Sequence, residues 1–168
     1  MKKAIINKLT ACLFILLTTG IVTTRAQDNK NSISLGAGAN YGIGGNIGYD
    51  YQIKTFGEHS TLTAGGYFGF QRGDGYAWEG SDDHYEWDRS YLLSPRFSCI
   101  YAVHRNVELF AAILPGLLIN DEHSRSTTYE FFPGITLGCR VRLFKNIFLF
   151  TEEGYNITRF NIGISVKF

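Results

Sequence analysis

The stretch TRFNIGISVKF, residues 158–168, decides the fold because its residues alternate in polarity along its whole length. One face is apolar and the other is polar or small: Phe160, Ile162, Ile164, Val166 and Phe168 against Arg159, Asn161, Gly163, Ser165 and Lys167. Successive side chains of a strand point to opposite faces, so this period of two predicts a β-strand between two different environments. A half-buried strand of a soluble sheet would show the same pattern, and the rest of the chain decides between the two.

Seven further segments alternate in the same way, at 32–41, 46–54, 61–71, 91–103, 107–119, 129–143 and 147–156. Their connections also alternate: the short ones, at 54–60, 104–106 and 144–146, are interleaved with a set that includes the long polar segments 72–89 and 120–128. Segments near ten residues suit a tilted strand that crosses a membrane. An even strand count with short turns at one end and longer loops at the other is typical of a transmembrane β-barrel with both termini on the periplasmic side.

The N-terminus has the pattern of a secretory signal peptide. Lys2 and Lys3 precede an apolar stretch at about 9–22, and the small residues of Thr24-Arg25-Ala26 provide a cleavage site before Gln27. A retained membrane anchor is the alternative, but the stretch is shorter than the roughly 20 residues that a spanning helix needs. We therefore predict a signal peptide at 1–26 and a single barrel domain at 27–168.

Composition narrows the class of protein. Charged residues make up 18% of the chain, against about 25% in an average soluble domain. The formal net charge of +1 excludes nucleic acid as a partner, because that would require a basic patch or stripe. Cys99 and Cys139 lie on predicted strands that a third strand separates, about 10 Å apart, which is beyond the reach of a disulfide.

The polar face of the segments distinguishes a membrane barrel from a soluble barrel of the lipocalin type, whose apolar face would turn inward to hold a ligand. A polar face in bulk water should be rich in Lys and Glu, whereas here it consists mostly of Gly, Ser, Thr and Asn with single charges. Such a face suits a narrow lumen filled by side chains. The prediction is an all-β protein: a closed, eight-stranded, antiparallel, up-and-down transmembrane barrel.

The signal peptide, the eight segments and the terminal Lys167-Phe168 together resemble small outer-membrane β-barrel proteins of the OmpA/OmpX type. The phrases LGAGANYG at 35–42 and EEGY at 152–155 resemble the porin-family barrel domain of Bacteroidetes. The resemblance implies an integral outer-membrane location, contact with lipopolysaccharide, and a C-terminal Phe168 that the barrel-insertion machinery reads. It implies no particular activity, because function must be argued from a site. We expect a monomer without cofactor or metal.

Several charges fall on the predicted inward face, and buried charges demand partners. They are Asp50, Arg96, Glu108, Arg140, Arg142, Glu152 and Arg159, together with Lys54 and Lys167. We predict a network of ion pairs that plugs the lumen, with a selective proton or ion path as the alternative. Since a charge facing lipid is costly, we assign Glu152 to the lumen and expect the strand to end or bulge near Glu153.

The loop 72–89 combines acids with aromatics, including Asp74, Trp78, Asp82, Asp83, Tyr85 and Trp87. It lacks the ligand spacing of a calcium loop. These residues are the candidates for binding an extracellular ligand such as a cation, a glycan or a host surface; the interpretation favoured over this is a solvated loop whose aromatics pack at the lipopolysaccharide boundary. The main role predicted for the protein is therefore structural or interactive, through its loops.

Two other functions are weighed. Some small outer-membrane barrels modify lipid A with a Ser and a His near the outer rim, and His123, Ser124 and Ser126 lie in a predicted outer loop where a His could activate a hydroxyl. Their order does not reproduce a recognisable deacylase signature, so an enzyme is not expected. An accessory barrel of a secretion or transport assembly is the remaining alternative. His59, His84 and His104 show no metal-ligand spacing.

Overall fold

A computed structural model describes residues 30–40, 42–74, 87–121 and 127–168 of the chain. The predicted signal peptide at 1–26 lies outside the described residues. Within the described residues there is no helix long and apolar enough to cross a membrane.

Eight antiparallel strands form a closed barrel in sequence order, and β8 pairs with β1. The strands are β1 (Asn31–Ala39), β2 (Gly42–Phe56), β3 (Ser60–Asp74), β4 (Trp87–His104), β5 (Val107–Asp121), β6 (Thr128–Phe144), β7 (Ile147–Tyr155) and β8 (Phe160–Lys167). Each of the eight alternating segments thus corresponds to one strand. The predicted fold class is confirmed.

Several strand ends differ from the prediction. β3 and β4 remain paired as far as Asp74 and Trp87, so these two residues end a hairpin ladder and do not belong to the loop predicted at 72–89. β7 continues regularly through Glu153, which pairs with Leu137 and Phe160. The β7–β8 ladder ends at Glu153, and β7 itself ends two residues later at Tyr155, so the strand ends near Glu153 as expected and without a bulge there; the Glu153 side chain is exposed.

The outer wall of the barrel is apolar along every strand. Ile33, Leu35, Ile113, Leu137 and Ile162 are among its exposed side chains. Exposed aromatic side chains occur toward both strand ends: Tyr51, Phe56, Tyr101 and Phe144 near the short turns, and Phe70, Tyr129, Phe131 and Tyr155 near the opposite end. An apolar band between two aromatic girdles is the surface that a barrel presents to a bilayer.

The lumen has two chemically different halves. Toward the loop end, Tyr67, Leu92, Leu114 and Ile157 form a buried apolar cluster against which Leu118 and Phe132 pack. Toward the termini, the buried side chains are mainly polar or charged, and they include Asp50, Arg96, Arg140 and Glu152. Cys99 and Cys139 both point outward and are free thiols, as predicted.

The barrel closes at its chain ends. The backbone N–H of Asn31 donates to the carbonyl of Phe168 at 3.0 Å, and the N–H of Phe168 donates to the carbonyl of Asn31 at 2.9 Å. The Phe168 side chain itself is 54% exposed on the outer wall. The last residue therefore contributes backbone hydrogen bonds to the seam and little side-chain packing.

Candidate functional site

Four charged side chains from four strands meet at the centre of the lumen: Asp50 on β2, Arg96 on β4, Arg140 on β6 and Glu152 on β7. Arg96 Nε lies 3.4 Å from Asp50 Oδ1, and Arg96 Nη2 lies 3.3 Å from Glu152 Oε2. Arg140 Nη2 lies 3.1 Å from Asp50 Oδ2. We call these four residues the lumen cluster. Each is at least 98% buried, and its two guanidinium groups balance its two carboxylates.

Neutral neighbours complete the lumen cluster. Ser98 accepts a hydrogen bond from Arg96 Nε at 3.2 Å and donates one to Asp50 Oδ1 at 3.4 Å. The Phe110 ring lies between the two guanidinium groups, 5.5 Å from Arg96 Cζ and 4.8 Å from Arg140 Cζ. An aromatic face attracts a cation, more strongly when both are desolvated, so Phe110 stabilises two arginines whose buried charges would otherwise repel each other.

Hydrogen bonds extend the cluster toward the loop end. Asn161 Nδ2 donates to Glu152 Oε1 at 3.1 Å, and the Asn161 amide oxygen accepts from the hydroxyl of Thr158. Above them, Asn156 Nδ2 donates to the Tyr67 hydroxyl at 2.7 Å. The turn between β7 and β8 therefore fits into the mouth of the lumen as a plug, with Ile157 buried among the apolar side chains.

A second ion pair lies nearer the termini, between Glu108 on β5 and Lys167 on β8. Lys167 Nζ and Arg142 Cζ lie 4.7 Å and 5.2 Å from the centre of the Phe148 ring. Glu108 and Arg142 are thus lumen residues, as predicted, but they form a separate layer from the four-residue cluster.

Two predicted inward charges are not in the lumen. Arg159 is exposed, because it lies in the turn before β8 begins at Phe160 and does not follow the strand alternation. Lys54 is also exposed, with its ammonium 5.0 Å from the Phe56 ring. The ladder between β2 and β3 shifts its register between Gln52 and Lys54, so the inward face cannot be extrapolated to Lys54.

Three residues of the site were not predicted as site residues from the sequence: Ser98, Asn161 and Phe110. Ser98 shares the inward face of β4 with Arg96, and Asn161 shares the inward face of β8 with Lys167. Strand alternation alone could therefore have placed both residues in the lumen. Phe110 follows Glu108 by two residues and therefore shares its face. No sequence pattern indicates that its ring lies between two arginines from other strands.

The loop residues predicted to bind a ligand are only partly covered by the structure. Trp78, Asp82, Asp83 and Tyr85 lie outside the described residues, and so do His123, Ser124 and Ser126. Asp74 and Trp87 face each other as backbone partners at the ends of β3 and β4. Among the side chains that the structure describes, no group of three or more His, Cys, Asp or Glu is placed to hold a metal ion.

Comparison with solved structures gives the class of barrel. A designed transmembrane β-barrel matches with a TM-score of 0.51 and 15% identity, over 86% of this chain and all of that one. Ail, the attachment invasion locus protein of Yersinia pestis, matches with a TM-score of 0.50 and 14% identity, over 82% of this chain and 96% of that one.

The chain has the fold of an outer-membrane β-barrel. This fold and the lipid-facing outer wall confirm the expected localisation in the outer membrane, as an integral membrane protein. No protein-family model matches the sequence, and no curated protein matches it either.

Proposed function

We propose that the protein is a monomeric scaffold of the outer membrane that presents the segment 75–86 to an extracellular ligand. The observation that carries this proposal is the filled lumen. Bulky buried side chains from several strands occupy it at successive heights, among them Phe148, Arg140, Arg96, Tyr67 and Leu92. A barrel of eight strands has an interior just wide enough for such side chains. This leaves the loops as the surface through which the protein can act.

The hairpin of β3 and β4 is suited to present a ligand-binding segment. Its ladder pairs continuously from Ser60↔Tyr101 to Asp74↔Trp87, so the ends of the segment 75–86 are held by a regular hairpin. The segment contains Glu79, Asp82, Asp83 and Glu86 with three aromatic residues and no Lys or Arg. Carboxylates accept hydrogen bonds from hydroxyl groups, and aromatic faces pack on apolar surfaces. This pairing favours a glycan as the ligand.

We propose that the rim of the barrel also contacts lipopolysaccharide. Arg72 and Arg89 are backbone partners near the loop end of β3 and β4, and both are exposed. They lie two residues from the backbone pair Phe70↔Tyr91 and share its face, and the Tyr91 ring stacks on Phe68 with ring centres 6.4 Å apart. Guanidinium groups bind phosphate in a bidentate manner, so a pair of them beside an aromatic girdle suits an anionic lipid headgroup.

The proposed orientation places the termini and the short turns in the periplasm. The supporting observation is the asymmetry of the connections: β2–β3, β4–β5 and β6–β7 are joined by two or three residues, whereas β3–β4 and β5–β6 span longer polar segments. Outer-membrane barrels have short periplasmic turns and longer outer loops. In this orientation Phe168 is positioned to be read by the insertion machinery. The phrases at 35–42 and 152–155 support a relationship to the porin-family barrels of Bacteroidetes.

Replacement of 75–86 by a Gly/Ser linker tests the function. The matched control replaces 122–126 in the same way. Both proteins, reconstituted in nanodiscs, are probed on a glycan array beside the unmodified protein. We expect the unmodified and control proteins to bind the same glycans and the 75–86 variant to bind none. The glycan assignment is overturned if the unmodified protein binds no glycan or if the 75–86 variant retains its binding.

Protease treatment of intact cells tests the orientation independently. Cleavage within 75–86 on whole cells is expected, because this segment is proposed to face outward. Resistance on whole cells combined with cleavage after the periplasm is opened would invert the topology and remove the surface role.

A further inference from the structure

The chain has three prolines, and the fold places all of them side by side in the barrel wall. Pro115 on β5 and Pro133 on β6 are direct backbone partners. Between β4 and β5 the partners Leu93↔Leu117 and Phe97↔Ile113 place Pro95 midway and opposite Pro115. Gly66 on β3 is the partner of Pro95 on its other side. Gly66, Pro95, Pro115 and Pro133 thus form one row across four strands, which we call the proline row.

The ladder between β4 and β5 is interrupted at this row. Partnering stops after Leu93↔Leu117 and resumes at Phe97↔Ile113. Proline has no backbone N–H, so Pro95 and Pro115 offer no donor to each other. A buried backbone carbonyl that has no N–H partner in the neighbouring strand needs another hydrogen-bond donor. The Ser94 hydroxyl, which is buried, donates to the Pro95 carbonyl at 2.6 Å.

The interruption opens a notch in the outer wall, with a volume of about 510 Å³. Its outward-facing lining is apolar and includes Leu93, Leu117 and Phe131, and its floor is formed by Ser94 and Gly116 from the inward face. At Gly66 there is open space around the position that a Cβ would take. Pro95 is the ninth of the eighteen residues of β4, and the Phe131 side of the notch belongs to the aromatic girdle near the loop end.

We propose that the notch binds an acyl chain of a membrane lipid. The notch is continuous with the apolar wall that faces the bilayer, and the groups that meet this wall inward of the aromatic girdles are hydrocarbon chains. Its lining offers packing to an alkyl chain and no charged side chain to a headgroup. Water in an apolar notch of this kind would forfeit hydrogen bonds, whereas an acyl chain gains dispersion contacts with the lining.

Photocrosslinking with a phosphatidylcholine that carries a diazirine in the middle of one acyl chain tests the proposal. The full-length protein is reconstituted in phosphatidylcholine vesicles with a trace of this probe, irradiated and digested for mass spectrometry. We expect crosslinks to concentrate on Leu93, Pro95, Leu117 and Phe131 relative to the lipid-facing residues of β1 and β8. Equal labelling around the wall would overturn the proposal.

Gly66→Leu adds a side chain to the notch at a position where a Cβ meets no atom within 4 Å, and Ala111→Leu adds the same side chain at an exposed position elsewhere on the outer wall, on β5. Gly66→Leu should reduce labelling of the notch to the level of the β1–β8 wall, and Ala111→Leu should leave it unchanged. Retained labelling in Gly66→Leu would contradict the assignment. So would crosslinks between two copies of the protein at this face, because they would make a second chain the occupant.

A double variant, Pro95→Val with Pro115→Val, tests the origin of the notch by restoring two backbone donors. Amide hydrogen exchange should show protection at both new N–H groups, and labelling of the notch should fall. If the two amides become protected while labelling is unchanged, the broken ladder does not create the site and the proposal fails.

Discussion

Asp50 and Arg96 each make two ionic contacts in the lumen cluster, since Asp50 pairs with both arginines and Arg96 pairs with both carboxylates. Removing one buried charge from a balanced set leaves an uncompensated partner, which is more damaging than the absence of the pair. The four residues of the lumen cluster therefore depend on one another mainly because their buried charges cancel, and less because of any single ion-pair distance.

Substitution of one or both members of the pair Asp50–Arg140 should reveal this balance. Asp50→Asn and Arg140→Met each leave one unmatched charge and should lower the free energy of unfolding by about 3–5 kcal/mol. The double variant leaves the pair Arg96–Glu152, 3.3 Å apart, and should recover most of the loss. Urea unfolding in detergent micelles measures the three values.

Lys54→Met is the control for that series, because Lys54 is exposed and a surface substitution changes stability by about 0.5 kcal/mol or less. A double variant that shows the sum of the two single losses would refute the argument from charge balance.

For individual charged residues, the sequence predicted which side chains face the lumen wherever strand alternation held. Asp50, Arg96, Glu108, Arg140 and Glu152 were correctly assigned to the lumen because each lies in the regular part of its strand. Arg159 and Lys54 were misassigned because a turn and a register shift interrupt the alternation there. Which charges pair could not be predicted, because that depends on the strand tilt and on the curvature of the closed barrel.

Among the elements, β8 shows how sequence pattern and closure are related. Its apolar face lies on the outer wall, and its polar face supplies Asn161 and Lys167 to the lumen. Phe168 follows β8 directly and hydrogen-bonds Asn31 through its backbone. These contacts separate the possible roles of the final residue into a backbone role at the seam and a side-chain role in recognition.

Phe168→Ala and deletion of Phe168 should therefore differ. Phe168→Ala keeps both backbone hydrogen bonds and removes an exposed ring, so refolding in detergent should be unchanged while the amount assembled in the outer membrane of cells falls. Deletion should reduce assembly and also weaken the seam. Cell fractionation with immunoblotting gives the first measurement, and thermal unfolding in detergent gives the second. Normal assembly of Phe168→Ala would show that the side chain carries no insertion signal.

The existence of all eight strands was predictable, and the extent of several was not. Alternation identifies a strand only where its two faces meet different environments. Toward the end of the β3–β4 hairpin the residues on both faces are polar or small, as with Arg72, Gly73 and Asp74, so the ladder continues there without an alternating signal. The proline row was not predicted either, because the three prolines are far apart in sequence and only the strand register brings them side by side.

For the whole molecule, the two halves of the lumen form successive barriers. An ion passing from the end with the chain termini would meet the layer of Glu108 and Lys167, then the lumen cluster, then the apolar residues beneath the turn between β7 and β8. An unsolvated ion in an apolar constriction carries a large desolvation cost.

Planar bilayers that contain the protein should accordingly show no large, stable conductance. Arg140→Ala together with Leu114→Ala removes bulk from both halves and provides the matched test, since any rise in conductance should require both changes. Folding of each variant is checked by its heat-shifted migration in a detergent gel. Porin-sized currents from the unmodified protein would contradict the filled lumen.

The lumen cluster should affect the rate at which the barrel unfolds differently from the rate at which it folds. Asp50 and Arg140 are 90 residues apart in sequence, and Arg96 and Glu152 are 56 apart, whereas the hairpins pair consecutive strands. Bringing such distant residues together carries a loop-closure cost that hairpin formation avoids, so we expect the cluster to form after the sheet has curled. Interactions absent from the transition state affect the unfolding rate and hardly affect the folding rate. The cluster thus governs how long the closed barrel lasts and contributes little to how fast it assembles.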